Sequence, residues 1–391
     1  MFERKLVSQL VDRINEPRKF IQIVTGPRQT GKTTAVLQAL KKINLPRYYV
    51  NADDPALVSE NWLRHEWKLA RILAKTGGAI LIIDEIQNVS RWSSLVKLLW
   101  DDDTLLQIPL KVIIIGPSAL LLQRGLTESL MGRFEVLHCL HWNYSECKEA
   151  FGYTIDDFLF FGGYPGAAKL INEDDRWTEY MGSSIVDPAI SHDILMMEKV
   201  RKPALLRSLF LYGCMHSAQQ MSYVKIPEQL LVTDNTVTIK YYLNLLEKAG
   251  MLAGLQNYSV NQIRIIQNSL RFIVYDTSLM TYAFDVNKQR FLDNAGDYSR
   301  LVQSAVGANL LVRGKAEGFE VYWCHECDTV ADFIIKSGRH LTSVEVNTGR
   351  VKSSNDSVVL KKLNPDAPPF SIGSDITTLE DFFLGKTPLF L

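Results

Sequence analysis

The sequence predicts an α/β fold organised on a parallel β-sheet, and three observations carry that expectation. Residues 21–24, 79–83 and 112–115 are short, largely apolar runs, and 79–83 runs without polar alternation, as a strand buried on both faces does. Each run leads into a turn bearing glycine or acid. A helix-forming stretch, residues 35–40, follows the first run directly, so strand and helix alternate as a crossover-connected sheet requires.

The first strand enters the most informative loop. Residues 26–33 spell G-x-x-x-x-G-K-T: Gly26, Pro27, Arg28, Gln29, Thr30, Gly31, Lys32 and Thr33, with Thr34 opening the helix. Strand, glycine loop and helix in that order form a phosphate cradle. The glycines let backbone N–H groups converge on phosphate oxygens, and the helix N-terminus adds the positive end of its dipole. Lys32 is expected to reach the β- and γ-phosphates and the Thr33 hydroxyl to ligate Mg²⁺. Arg28, inside the loop, has solvent exposure as its simplest reading.

Residues 79–83 end in Asp84-Glu85, where a phosphate loop needs its metal carboxylate. Asp84 is the candidate Mg²⁺ ligand and Glu85 the base that polarises the attacking water. The third run ends in Gly116-Pro117-Ser118, and Ser118 is the polar side chain at that tip able to sense a γ-phosphate. Arg133 precedes another apolar run, residues 136–140, and an arginine fork suits charge developing on a transferring phosphoryl group. Arg124 is its competitor.

Composition limits the alternatives. At 391 residues the chain has room for two to three domains of ~150 residues. Hydrophobic residues make up 47%, which excludes a disordered chain. Lys plus Arg and Asp plus Glu are 43 each, so no global field steers a polyanion and any nucleic-acid contact must be local. No apolar stretch approaches the ~18 residues of a spanning helix, and the N-terminus shows no secretory h-region. Five cysteines make no disulfide framework, so a cytoplasmic location is expected.

Residues 26–34, the segment Leu-Ile-Ile-Asp-Glu-Ile-Gln at 81–87, Gly116-Pro117-Ser118 and Gly132-Arg133 resemble the AAA-type P-loop ATPases of bacteria and archaea. In particular they resemble the subgroup with a C-terminal winged helix and a PD-(D/E)xK nuclease-like domain. Trp142-Asn143-Tyr144-Ser145-Glu146 and Phe161-Gly162-Gly163-Tyr164-Pro165 look like that group's later motifs, and the likeness runs over roughly residues 3 to 350. The resemblance implies an AAA-like core, ATP with Mg²⁺, and Arg133 as an arginine finger or sensor. Pro117 departs from the small polar residue usual in the group, which weakens a sensor role for that tip.

The expected organisation is an AAA-like core over 1–150, a helical lid or linker over 151–212, a winged helix over 213–290 and a nuclease-like domain over 291–391. In the third segment a short helix near Ile226 precedes a turn. A second helix follows from Thr236, with Ile239, Leu243 and Leu246 inward and Gly250 closing it. Three lysines (Lys225, Lys240, Lys248) face three acids (Glu228, Asp234, Glu247) there, with Arg264 and Arg271 added in the wing. That balance favours structural or protein-contact use over sequence-specific DNA binding.

In the last segment Asp332 and Glu345 take the acidic positions of a Mg²⁺ nuclease, but Gln303 and Asn347 stand where a glutamate and a lysine are needed. Arg350 and Lys352 are the residues able to stand in for that lysine. A nuclease fold without activity is expected. Cys324-x-x-Cys327 is half a zinc motif with no second half, and reads as a hairpin turn with free thiols.

The leading functional expectation is a Mg²⁺-dependent ATPase that couples ATP hydrolysis to movement of its C-terminal modules. Arg133 would be supplied by a neighbouring subunit of a homo-oligomer. The alternative is a nucleotide-regulated DNA-binding protein, nuclease or defence-related. The partner is an unidentified macromolecule, protein favoured over DNA, with no membrane role.

Overall fold

The computed structural model describes residues 2–54, 58–118, 130–195, 200–232, 235–259, 264–326, 329–348 and 370–389. The chain divides into two compact units, Met1–Leu140 with Asp193–Lys199, and His141–His192 with Val200–Leu391. The expected boundaries at 151, 213 and 291 all fall inside the second unit. Arg124, Cys327, Arg350 and Lys352 lie outside the described residues.

In the first unit, helix α1 (Lys5–Asn15) precedes strand β1 (Ile21–Gly26), helix α2 (Lys32–Leu40) and strand β2 (Arg47–Asn51). Helix α3 (Glu60–Ala74), β3 (Ala79–Asp84), α4 (Trp92–Leu105), β4 (Leu110–Pro117) and β5 (Phe134–His138) follow. The sheet is parallel throughout, in the order β2-β3-β4-β1-β5. Alternate residues of the continuous apolar strands serve opposite faces. Ile21, Ile23, Leu81, Ile83, Val112 and Ile114 pack with Trp67 of α3 and Trp100 of α4. Val24, Ile80, Ile82, Ile113 and Ile115 pack with Leu6 and Leu10 of α1 and Val36 and Ala39 of α2. Two cores, one per face, fix the register, because a one-residue slip would exchange every partner.

The second unit opens with α5 (Tyr144–Phe151), α6 (Ile155–Phe161) and α7 (Asp174–Tyr180), then π-helical turns at Met181–Val186 and Ala189–Ile194, the last two residues of which belong to the first unit. Asn143 caps α5 in a closed capping box: its side chain accepts from Glu146 N at 2.9 Å, and Glu146 accepts from Asn143 N at 3.1 Å. The next run is α8 (Pro203–Met215), β6 (Gln220–Ser222), α9 (Lys225–Gln229), α10 (Thr236–Lys248), β7 (Leu252–Ser259) and β8 (Arg264–Val274). Then come α11 (Thr277–Phe284), α12 (Lys288–Asp293), α13 (Ala295–Glu317), β9 (Glu320–Glu326), β10 (Thr329–Ser337) and β11 (His340–Val346), with β12 (Phe370–Ile372) and α14 (Leu379–Phe383) last.

One mixed sheet, β12-β11-β10-β9-β7-β8-β6, runs through this unit, so the third and fourth expected segments share it. The join is narrow. Asn257 of β7 pairs with Trp323 of β9, whose indole donates to Leu255 O at 3.1 Å.

Candidate functional site

The glycine loop connects β1 to α2 at the carboxyl edge of the parallel sheet, where α/β folds place their ligands. Gly26 is required by its neighbours, since a Cβ there would lie 2.0 Å from Cys139 O. Gly31 has φ +91°, a left-handed conformation that turns the loop into the helix. Thr30 faces inward, its hydroxyl donating to Pro27 O (3.0 Å) or Cys139 O (3.1 Å), which ties the loop to the chain leaving β5.

The loop curls around its own lysine. Lys32 Nζ donates to Gly26 O at 3.0 Å and Pro27 O at 2.7 Å. Burial pushes this ammonium below the ordinary lysine value, and nearby Glu85 and Asp84 pull it back up. An ammonium held by two carbonyls at the mouth of a loop is poised to exchange them for phosphate oxygens.

Beside it, Thr33 Oγ1 donates to Asp84 Oδ2 at 2.7 Å. The same oxygen accepts from Tyr49 Oη at 2.9 Å, and the other accepts from Glu85 N at 3.0 Å. A threonine hydroxyl and a carboxylate meeting from two elements are the hard oxygen donors that suit Mg²⁺. Glu85 has φ +54°, a left-handed conformation costly for a side-chain-bearing residue and typical of functional sites. Gln87 donates to its carboxylate, while burial and the Asp84 charge raise its pKa.

Arg28 does not face solvent. Its Nε and Nη2 donate to the two oxygens of Asp193 at 2.7 and 2.6 Å, a bidentate pair on a buried carboxylate. Ser118 follows β4 at the same edge, and the last residue of that strand accepts from Thr25 Oγ1 at 2.8 Å. Pro27, Gln29 and Thr34 lie in the loop and the first turn of α2.

Arg133 does not join this cluster. Its carbonyl accepts from Ile21 N at the opposite, amino edge of the sheet, about 17 Å of β1 away at ~3.3 Å per residue. Its guanidinium makes a bidentate pair with Asp101, at 2.6 and 3.0 Å. A sensor role for Arg133 at the glycine loop of its own chain is therefore corrected.

Tyr49 and Asp193 were not anticipated. Tyr49 lies in Arg-Tyr-Tyr-Val-Asn, whose aromatic and β-branched residues signal a strand, but its partner Asp84 is 35 positions away. Asp193 lies 165 positions from Arg28, in a segment with no motif of its own.

Of the residues expected to form a nuclease site, Asp332 and Gln303 are engaged in protein contacts. Asp332 accepts from Val346 N on Oδ2 at 2.9 Å and from Gln303 Nε2 on Oδ1 at 3.2 Å. Arg271 Nη1 donates to its carbonyl at 2.9 Å and lies 3.5 Å from Oδ1. Arg271 is thus buried against Asp332 and Trp323, so it does not add to an outer surface the charge it was counted for. Cys139, Cys147, Cys214 and Cys324 are buried and take part in no disulfide among the described residues. Among the described residues no cluster of three or more metal-ligating side chains occurs.

Fold and cradle define a P-loop nucleotide-binding domain. Residues 18–148 match the AAA domain family. Residues 153–290 match a domain of unknown function, DUF8612. The chain is similar to an uncharacterized protein of Haemophilus influenzae, 22% identical over 324 residues that cover 75% of each chain. It is also similar to the uncharacterized protein MJ1544 of Methanocaldococcus jannaschii, 23% identical over 337 residues, 81% of this chain and 72% of that one. Among solved structures, the Walker-type ATPase paby2304 of Pyrococcus abyssi aligns at TM-score 0.48 and 14% identity, over 73% of this chain and 96% of that one. AMPPCP-bound DnaA from Aquifex aeolicus aligns at TM-score 0.33 and 17% identity, over 62% and 86%. No helix among the described residues is long and apolar enough to cross a membrane.

Proposed function

We propose that the protein is a Mg²⁺-dependent ATPase whose AAA domain drives conformational change in its C-terminal modules. The observation that carries this reading is the meeting of Thr33 and Asp84 beside Lys32, with Glu85 next in the chain. Lys32 and the backbone of residues 26–33 hold the phosphates. Thr33 and Asp84 hold Mg²⁺, which when bound neutralises phosphate charge. Glu85 accepts the proton of the attacking water, and Tyr49 fixes the orientation of Asp84. Ser118 stands at the strand tip beside them.

The C-terminal modules are a winged helix and an inactive nuclease-like fold. The order α8, β6, α9, α10 and the β7–β8 hairpin supports the first. A helix followed by three antiparallel strands and a parallel fourth supports the second. The Arg271–Asp332 pair supports inactivity, because the guanidinium supplies the positive charge that a nuclease takes from its metal. Arg271 is also withdrawn from any DNA-facing surface, so a protein partner is favoured.

Steady-state ATP hydrolysis with and without Mg²⁺ tests this, with Lys32→Ala as the blank. Mg²⁺-dependent turnover lost in that variant is the expected result. Absence of turnover in the parent, or full activity in Lys32→Ala, overturns the reading. Plasmid DNA should remain intact in the same buffer.

A further inference from the structure

A cleft independent of the glycine loop lies in the second unit, between the end of α6, the start of α7 and the end of α11. It measures about 270 Å³. Its floor is aromatic. Phe160 and Phe161 of α6 meet Trp177 of α7, with ring centres 6.1 and 5.4 Å from that of the indole. Thr281 of α11 donates to Phe160 O at 2.8 Å and ties the third wall to this floor. The rim carries three exposed carboxylates, Asp174 and Asp175 from α7 and Asp285 at the end of α11.

These acids meet no counter-charge within the chain. Among the described residues no lysine or arginine lines the cleft, and none forms an ion pair with Asp174, Asp175 or Asp285. Lys288, three positions after Asp285, is taken by Asp157. The first turn of α7 accounts for Asp174 and Asp175, because the positive end of a helix dipole favours acids. Asp285 has no such reason. It caps the carboxyl end of α11 with φ +50°, where the dipole opposes a negative charge.

Trp177 is a separate observation at the same place. Its side chain is 3% exposed, and its Nε1 has no hydrogen-bond acceptor among the described residues. A buried donor left this way is costly unless a ligand brings the acceptor. Nor do the three carboxylates gather into a metal-ligating group, so an extended organic cation suits them better than a metal ion.

We propose that this cleft receives an arginine-bearing segment of a partner protein. A guanidinium is flat and weakly hydrated, so it lies against the aromatic floor while its fork donates to the rim carboxylates. The peptide backbone beside it carries carbonyl groups, the acceptors that the Trp177 N–H lacks. A polyamine brings donors alone and leaves the indole unpaired. The proposal rests on the reading that the partner is a protein, and not on ATP hydrolysis, so it is tested without nucleotide.

The test is fluorescence anisotropy of a labelled glycine-serine peptide with two central arginines, titrated with the full-length protein at fixed ionic strength. Saturable binding is expected, and it should vanish when citrulline, neutral and of nearly the same shape, replaces arginine. Binding should weaken about threefold in Asp285→Asn, since one ion pair at an exposed rim is worth little. It should weaken at least tenfold when Asp174→Asn and Asp175→Asn are added. It should stay unchanged in Asp12→Asn, an exposed acid of the first unit. No saturable binding of the arginine peptide overturns the proposal, as does equal binding of the citrulline peptide or by the triple variant. Spermidine forms the second arm: spermidine bound without the peptide, and lost in the triple variant, overturns it in favour of a small polyamine. Stimulation of the parent's ATP hydrolysis by duplex DNA would instead strike the protein-partner reading on which the proposal rests.

Discussion

At the scale of single residues, Glu85 has the most exposed chemistry to test. Burial holds its pKa above the ordinary glutamate value of 4.5, so the proposed base is ionised only above a correspondingly raised pH. Hydrolysis should therefore fall on acidification through a limb lying above pH 4.5, because protonated Glu85 cannot accept a proton. Glu85→Gln should lower kcat by about 10²–10³-fold with ATP affinity retained, read by single-turnover kinetics alongside equilibrium binding. A variant that keeps the parent rate and acid limb would show that another group activates the water. Arg28 offers a second test. Asp193 now claims both faces of its fork. Asp193→Asn removes that charge and frees the guanidinium for phosphate, so ATP should bind severalfold more tightly, measured with a fluorescent analogue. Weaker binding would mean that the pair instead holds the loop in shape.

At the scale of elements, much was legible where the chemistry is local and little where it is long-range. The strand–loop–helix of residues 21–40 and the acid pair after β3 follow from neighbouring residues, and the structure assembles them as the pattern implies. The Trp-Asn-Tyr-Ser-Glu segment was recognisable as a motif, and its physical content is a helix cap. The Gly-Gly-Tyr-Pro turn has a different reason. A Cβ on Gly162 would lie 1.7 Å from Asp276 Oδ1 and one on Gly163 2.3 Å from Trp142 O, while Gly163 N donates to Asp276. Nothing around residue 162 signals a partner 114 positions downstream. Arg271 was misjudged for the same reason, because charge counted along a segment does not say which way a side chain points. Removing it leaves Asp332 in a largely enclosed site. Arg271→Met should cost about 3–5 kcal/mol in urea unfolding, and Arg271→Met with Asp332→Leu should recover most of that. Equal loss in the single and double variants would show that packing, not the charge pair, sets the stability.

At the scale of the whole molecule, the proposed part of Arg133 in hydrolysis would require a second copy of the chain. The phosphate cradle lies at the carboxyl edge of the parallel sheet and Arg133 at the amino edge, where Asp101 holds it. A rigid domain cannot bring the two together within one chain, but a head-to-tail contact between copies places one chain's amino edge against the next chain's carboxyl edge. Arginine supplied in this way contributes about 10³–10⁵-fold to phosphoryl transfer in other enzymes. Two variants separate the alternatives. Lys32→Ala keeps Arg133 and loses the cradle, whereas Arg133→Ala keeps the cradle and loses the fork. Each alone should hydrolyse ATP poorly, and an equimolar mixture should regain part of the parent rate, because some contacts then unite an intact cradle with an intact arginine. The parent rate should also rise more than linearly with protein concentration. Asp101→Ala should move that rise to lower concentration, since the pair that now holds Arg133 must open before the fork can reach a neighbour. Full activity of Arg133→Ala, with a rate linear in concentration, would remove the arginine from the mechanism and leave the Asp101 pair as a contact that ties the chain entering β5 to α4.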